Sequence, residues 1–280
     1  MSTSLAIVKG DYASRLLNTL LDMVKAETLI SPEDKVLIKP NCVVAKHPST
    51  GLTTDSRVIE NVIEFVKRLG IVELVVAEGG AGRSTEKAFD ATGLREVASR
   101  QRIDLIDLNR EARIKVRIQH PLELHQVEIA ESVYNSTCII NVPTLKVHHL
   151  ALVTLSMKNL MGAILPKNIM HGKIDEKIVD LASVFKDKVK LNIVDGLVGA
   201  ETDEVRGSPV EMNLLIAGSD MVAVDAVSAA IMGIDPRKVK YLQLAAECGL
   251  GVSDLSKIEI LGESIDKVKR KFKLPPEFAG

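Results

Sequence analysis

The 280-residue sequence has no tryptophan, an aromatic content of 3%, and only three cysteines, Cys42, Cys138 and Cys248, which form no CxxC pair. Scattered cysteines argue against a disulfide framework and indicate an intracellular, cytoplasmic protein. They also argue against a ferredoxin-type cluster, which needs closely spaced thiolates. The sequence starts without the basic residues and long apolar run of a signal peptide, and no stretch approaches the roughly 18 apolar residues of a membrane span. The formal net charge of −1 and the scarce aromatics predict no nucleic-acid partner.

Strand-like apolar runs alternate with segments of helical periodicity along most of the chain. Strands are predicted at residues 5–8, 35–39, 72–77, 103–108, 137–142, 189–194, 213–217 and 257–261, with amphipathic helices between most of them. This alternation predicts an α/β fold, with a mostly parallel sheet that carries helices on both faces. Alternating polar and apolar residues predict an antiparallel insertion over residues 113–129. Residues 1–262 are expected to form a single α/β unit with a subdomain seam near Asp187, and residues 263–280 a C-terminal surface tail.

The candidate site lies in the stretch from Val142 to Gly162, directly after the strand predicted at 137–142. The stretch combines basic, imidazole and amide side chains, namely Lys146, His148, His149, Lys158 and Asn159, and His171 follows just downstream. Burying such groups without partners is costly, so their density indicates a site rather than a core. We predict a loop that holds Lys146 and His148, followed by a buried helix over residues 153–164 from which Lys158 projects.

The two lysines near His148 favour a neutral imidazole ring, which suits a base or a metal ligand. The ordinary alternative is a hydrogen-bonded structural histidine. A lysine on a buried helix needs a partner or a function, and its pKa falls readily when it is buried. The alternative for Lys158 is that its stem packs while its ammonium group reaches water. Replacing Lys158 with alanine separates these readings, because a structural lysine would be needed for folding.

Other candidates follow the remaining strands and helices. Lys39 and Asn41 come directly after the second strand, where open α/β sheets place ligands. The glycine-rich turn from Glu78 to Arg83 could hold an anion on backbone N–H groups, or serve only the geometry of the turn. Asp195 precedes a glycine at the predicted end of a strand, which is typical of a metal ligand but also of an ordinary turn. Asp225 is surrounded by apolar residues and is predicted to pair with a lysine or to cap backbone groups.

In order and spacing, these motifs resemble the family called "domain of unknown function 362", over about residues 5–262. The resemblance is carried by Lys39-Pro-Asn41, the Glu78-Gly-Gly-Ala-Gly turn, Leu145-Lys-Val-His148, Ser156-Met-Lys-Asn-Leu-Met-Gly162, His171, Val194-Asp-Gly196 and Ser219-Asp-Met-Val-Ala-Val-Asp225. Several members of that family carry a fused ferredoxin-like cluster domain, which implies a redox partner. This sequence has no such domain, and Glu201 to Arg206 replaces part of the family's glycine- and proline-rich turn.

A remoter resemblance is to lactate racemase-like enzymes, in which a histidine is followed ten residues later by a lysine and then by a further histidine. His148, Lys158 and His171 are similar to that pattern, and the segment from Thr54 to Arg57 is similar to a second motif of those enzymes. The resemblance implies a nickel-pincer cofactor tethered by the lysine and a nickel ligated by histidine. Gly82 stands where those enzymes have a catalytic histidine, so two-base racemisation is not expected.

These observations lead to two hypotheses. The first is an enzyme that acts on a small carboxylate or phosphate compound by isomerase or lyase chemistry. In it, Lys39, Asn41, Arg57, Lys146 and Asn159 bind the anion, His148 is the acid/base group, and Lys158 and His171 hold a metal or cofactor or polarise the substrate. His171 and Asp195 are the candidate metal ligands. The second hypothesis is a non-catalytic protein that binds a metal, cluster or cofactor and serves a redox partner.

Overall fold

A computed structural model describes residues 3–10, 13–81 and 85–279 of the chain. The strands are β1 (Thr3–Lys9), β2 (Val36–Pro40), β3 (Leu74–Glu78), β4 (Asp104–Asp107), β5 (Arg113–Arg117), β6 (Gln126–Ala130), β7 (Cys138–Val142), β8 (Thr144–His148), β9 (Leu152–Thr154), β10 (Ile164–Leu165), β11 (Val189–Glu201), β12 (Ser208–Gly218) and β13 (Ile258–Gly262). The α-helices are α1 (Ala13–Met23), α2 (Ser56–Arg68), α3 (Thr85–Thr92), α4 (Leu94–Gln101), α5 (Glu131–Asn135), α6 (Ser156–Asn159), α7 (Ile174–Phe185), α8 (Met221–Ile231), α9 (Lys240–Glu247) and α10 (Ile265–Val268). Short 3-10 helices include Leu160–Ala163 and Lys167–Met170.

The main sheet has the strand order β13-β1-β12-β11-β7-β2-β3-β4, and β8 and β9 extend it beside β11. Its pairings are mostly parallel, and β12 runs antiparallel to both of its neighbours. A separate antiparallel sheet contains β10, β6 and β5. The predicted α/β class is therefore confirmed, as is the antiparallel segment over residues 113–129, whereas the third strand of the small sheet, β10, was not predicted.

Helices cover both faces of the main sheet because successive side chains of a strand point to opposite sides. In β1, Ala6 packs with α1, α2 and α4 on one face, whereas Leu5 and Ile7 pack with α7, α8 and α9 on the other. The C-terminal segment joins the second of these clusters, where Phe272 is buried and its N–H donates to the carbonyl of Met232. Within the described ranges, none of the helices combines the length and apolar character needed to cross a bilayer.

The stretch after β7 differs from its prediction. The predicted loop around Lys146 and His148 is strand β8, and the predicted helix over residues 153–164 is strand β9, the single turn of α6 and a 3-10 helix. Most positions from Leu150 to Ile164 are apolar, so the pattern could not separate a buried strand from a buried helix. Pro143 separates β7 from β8 but does not end the strand pairing, because the long strand β11 pairs with both.

The β11–β12 hairpin is also longer than predicted. Asp195 lies inside β11 rather than at its end, and only residues 202–207 separate β11 from β12. Helix α8 is capped by Asp220, whose carboxylate accepts hydrogen bonds from the N–H groups of Val222 and Ala223. The hairpin carries its short loop over the carboxyl ends of the parallel strands.

Candidate functional site

A cavity of about 410 Å³ opens where the parallel strands β2, β3 and β8 end. This is the edge at which open α/β sheets bind ligands. Of the predicted site residues, the cavity is lined by Asn41, Lys146, His148, Lys158, Asn159 and His171. It thus brings together residues from four separate segments of the chain.

Behind the cavity wall lies a buried ion pair between Lys39 and Glu78. The Lys39 ammonium group contacts both carboxylate oxygens of Glu78, at 2.8 and 3.0 Å, and Glu78 also accepts the N–H of Gly79 at 2.7 Å. The backbone at Gly162 passes so close that an added Cβ would come within 2.1 Å of Glu78 Oε1. The predicted anion-binding lysine Lys39 is therefore engaged by a carboxylate, and only a glycine at 162 fits against the pair.

A chain of amide hydrogen bonds joins the strand ends to Lys146. Asn159 accepts from Asn41 and donates to Asn141, each at 2.8 Å. The Lys146 ammonium group donates to Asn41 Oδ1 at 2.8 Å and to the Leu52 carbonyl at 2.9 Å. All of these acceptors are uncharged. Burial, together with the positive charge of Lys158, lowers the pKa of Lys146 to about 7.

Lys158 enters the cavity from the single turn of α6. It is only 8% exposed, and its ammonium group makes no hydrogen bond or ion pair with any residue in the described ranges. Burial lowers the pKa of Lys158 to about 8, and the carboxylate of Glu204 opposes this shift. Close by, the hydroxyl of Thr154 is buried without a hydrogen-bond partner and also lines the cavity. The cavity therefore contains a cation and a hydroxyl group that the chain itself does not satisfy.

Asp225 holds the turn that carries Lys158. Its carboxylate accepts the N–H groups of Ser156 at 2.6 Å and Met157 at 3.1 Å, as well as the hydroxyl of Tyr241 at 3.2 Å. Burial raises the pKa of Asp225 to about 7, and these hydrogen bonds pull it down. The expected pairing with a lysine is thus replaced by backbone capping, which was the other predicted role.

We expect Asp225→Asn to lower the free energy of unfolding by about 1–3 kcal/mol, because an amide offers only one acceptor oxygen and leaves a buried backbone N–H without a partner. Urea denaturation followed by circular dichroism measures the change. Asp235→Asn is the matched control, since Asp235 is a helix cap near the surface and asparagine caps equally well. Equal stability of the two variants would contradict the structural role of Asp225.

His148 uses one ring nitrogen within the fold. Its Nδ1 accepts the N–H groups of Leu150 at 3.0 Å and Ala151 at 3.3 Å, so the neutral ring carries its proton on Nε2. Burial lowers the pKa of His148 far below its usual range, and the neighbouring Lys158, His149 and Lys146 lower it further. His148 Nε2 lies 3.8 Å from Glu204 Oε1, too far for a hydrogen bond. His148 is thus a neutral N–H donor that has no acceptor at full bonding distance among the residues that the structure describes.

His148, His149 and Glu204 are the group whose ligand atoms lie close enough to hold a metal, all within 4.8 Å of one another in the described part of the chain. The rings of the two histidines are stacked, and His149 Nδ1 lies 2.7 Å from Glu204 Oε1. A metal-ligating histidine donates its second N–H to an acceptor and offers a lone pair to the metal. His148 does the reverse, because its second nitrogen accepts. These residues therefore do not fit a resident metal or a nickel-pincer-like cofactor ligated by His148.

Two predicted positions, Arg57 and Asp195, lie outside the cavity, and the glycine-rich turn lines it in part. The Arg57 guanidinium group is exposed and pairs with Asp55 at 2.7 Å, outside the cavity. Asp195 is buried in β11, where its two oxygens accept the N–H groups of Asp55 at 2.7 Å and Leu197 at 3.0 Å, and burial raises its pKa to about 7. In the glycine-rich turn, Gly79 and Ala81 line the cavity, whereas residues 82–84, including Gly82 and Arg83, lie outside the described residues.

Two charged residues that line the cavity, Lys167 and Glu204, were not predicted from the sequence. Lys167 donates to Asn109 Oδ1 at 2.7 Å, and burial lowers its pKa to about 8. Its position as a lone charged residue in the mostly apolar segment between Lys158 and His171 is a signal that could have identified it. Glu204 comes from the β11–β12 loop and has no local signal, because only the long hairpin brings it to the cavity.

Comparisons with known proteins agree with one of the two resemblances. Residues 36–230 match the family model described as "Domain of unknown function (DUF362)", and because this is more than half of the chain, the chain belongs to that family. The chain is also similar to "Thylakoid-associated protein sll1697" of Synechocystis sp., at 24% identity over 272 residues that span 92% of this chain and 82% of the relative. The resemblance to lactate racemase-like enzymes and the cytoplasmic location stay predictions.

Proposed function

We propose that this member of the DUF362 family binds a small carboxylate or phosphate compound in the cavity and transfers a proton to or from it. The observation that supports this most directly is the charge of the cavity. Lys39, Lys146, Lys158 and Lys167 lie in or directly behind its wall, against the two carboxylates of Glu78 and Glu204. Buried charges need partners. An anionic ligand would offset the excess of positive charge.

The binding roles follow from which groups are already engaged. Lys39 is neutralised by Glu78, so we assign the anion to Lys146 and Lys158. The free hydroxyl of Thr154 lies opposite Lys146 across the β8–β9 pair and would donate to the same ligand. Asn41 and Asn159 fix Lys146 in place through their hydrogen bonds, a positioning role rather than a contact with the anion.

The proton-transfer role falls to Lys158. A lysine with a pKa of about 8 exists in both protonation forms near physiological pH. Its ammonium form strengthens anion binding, and in the smaller fraction of complexes in which Lys146 and Thr154 hold the anion, the free amine of Lys158 accepts the proton. The N–H at Nε2 of His148 would then stabilise negative charge that develops on a substrate oxygen, as a neutral imidazole donor. In this proposal Lys158 is the base and His148 is a hydrogen-bond donor, whereas the sequence predicted His148 as the acid/base group.

With a carboxylate substrate, the step is removal of the proton on the carbon next to the carboxylate. Lys158 takes the proton, and the C–H electron pair moves onto the carboxylate oxygens, where Lys146 and the His148 N–H stabilise it. Delivery of a proton from water to the opposite face of that carbon, with release of the proton on Lys158 to solvent, would complete an epimerisation. Departure of a leaving group from the next carbon, with the electron pair of the broken bond and the proton from Lys158, would complete a lyase reaction. Both outcomes are redox-neutral and need no oxidant.

The competing function is a binder of a metal, cluster or cofactor that serves a redox partner. The hydrogen bonds to His148 Nδ1 count against a metal at His148, His149 and Glu204. Metal analysis of the purified protein tests this function independently: about one bound metal per chain would favour it over the proton-transfer enzyme.

The proposed function is tested with short 2-hydroxy and 2-methyl carboxylates and with inorganic phosphate. Calorimetry should detect binding to the wild-type chain, and proton NMR in D₂O should show loss of the C2–H signal of at least one carboxylate. Exchange that also occurs without protein does not count. If anions bind and no C2 proton exchanges, the enzyme part of the proposal is wrong, and if no anion binds, the whole proposal is wrong.

A further inference from the structure

The residues that line the cavity include two chemically different groups. One group is buried and polar: Lys146, Thr154, Lys158 and Asn159. The other is aliphatic and lines the cavity beside further charged residues such as Glu204: Val43, Leu150, Met161, Ile174 and Val205. A ligand that was only a small polar anion would leave this apolar wall facing water.

The aliphatic residues come from separate segments of the chain. Val43 follows β2, Leu150 lies in the turn between β8 and β9, Met161 lies in the 3-10 helix after α6, and Val205 lies in the β11–β12 loop. Leu150 is 44% exposed although it is a large apolar residue, and Val43, Met161 and Val205 are only partly buried. Four segments thus bring aliphatic side chains to one opening without burying them in the core. Exposed apolar groups that converge in this way mark a binding surface.

Resting on the proposed anion site, we infer that the ligand is an amphiphilic acid, with a carboxylate or phosphate head at Lys158 and Lys146 and an apolar hydrocarbon body against the wall formed by Val43, Leu150, Met161 and Val205. The volume of about 410 Å³ lies within the range of sites that enclose an organic ligand rather than a single inorganic ion. Met161 suits such a wall, because an unbranched thioether adapts to ligands of different shape. Short hydroxy acids would contact only the polar lining residues and leave the aliphatic ones uncovered.

The test is calorimetry with unbranched carboxylates from propanoate to decanoate, each below its micelle concentration. Burial of each added methylene group should tighten binding about fourfold until the cavity is filled, after which affinity should level off. A flat series in which propanoate and inorganic phosphate still bind would overturn the amphiphile while leaving the proposed function intact. Absence of binding by every acid would overturn both.

Two variants separate the wall from non-specific adsorption. Leu150→Asn should weaken the long acids selectively, so that the gain from propanoate to decanoate falls at least threefold. Leu122→Asn is the matched control, because Leu122 is 39% exposed and does not line the cavity, and it should leave the series unchanged. If Lys158→Met binds decanoate as tightly as the wild type does, the acid adsorbs through its tail alone and the inference is wrong.

Discussion

Lys158→Met is expected to weaken the binding of short carboxylates by about 100-fold without unfolding the chain. The loss is large because the Lys158 ammonium group has no hydrogen-bond partner in the described residues and is held in a buried cavity. Its interaction with a bound anion would be charge-assisted and shielded from water. Methionine keeps most of the length and volume of the stem, so packing around α6 is retained. Calorimetry on wild-type and variant protein measures the change in the dissociation constant.

The same variant makes a second, opposite prediction for stability. Burial of the Lys158 side chain lowers its pKa, so the folded state favours the ammonium form less than the unfolded chain does, and removal of the amine should leave the free energy of unfolding unchanged or raise it. Urea denaturation measures this. Lys238→Met is the matched control, because Lys238 is exposed and lies outside the cavity, and it should alter neither quantity. Unfolding of Lys158→Met beside a normal Lys238→Met would identify Lys158 as a structural lysine, and full anion binding by the variant would contradict the proposed site.

The affinity for the anion should fall steeply as the pH rises. Burial lowers the pKa of Lys146 to about 7 and that of Lys158 to about 8, so both lose protons within the range from pH 6 to pH 9. An anion binds the charged ammonium forms and therefore raises both pKa values in the complex. Affinity should be constant below pH 7, fall about tenfold per pH unit up to pH 8, and fall more steeply above it. Over the whole range the loss is about 1000-fold.

Calorimetry with a carboxylate at constant ionic strength isolates this effect, because a carboxylic acid does not titrate above pH 6. In Lys158→Met the fall should approach a single tenfold step per pH unit. It should also begin at higher pH, since the charge of Lys158 no longer depresses the pKa of Lys146. Affinity that is flat or that rises with pH would show that the lysines do not bind the anion in their protonated forms.

The sequence predicted the composition of the site better than its shape. Lys146, His148, Lys158 and Asn159 could be identified because polar groups in a run of apolar residues are costly unless they are used. Asn41 could be placed nearby because parallel strands end at the same edge of a sheet. Both identifications depend only on residue type and on the alternation of strands and helices, which the sequence shows without knowledge of contacts between distant segments.

What the sequence could not supply depends on contacts between distant segments. The ammonium group of Lys39 is paired because Glu78, on another strand, contacts it, whereas the ammonium group of Lys158 has no such partner in the described residues. Arg57 was assigned to the anion by its resemblance to a motif, but a carboxylate two residues away holds its guanidinium group outside the cavity. Glu204 arrives through the β11–β12 hairpin, whose length was underestimated because β11 continues through Gly196 and Gly199.

Because Lys146 and His148 lie on a strand rather than in a loop, the register of that strand determines which side chains line the cavity. Along β8, Lys146 and His148 line the cavity, whereas Leu145 and Val147 pack into the apolar core. Side chains of a strand alternate with a period of two, so a shift by one residue exchanges the two sets. One residue inserted after Pro143 would turn the leucine and valine toward the ligand and the ammonium and imidazole groups into the core. The register of β8 therefore determines both the groups that line the cavity and the packing of this strand into the core, and a change in register would alter both.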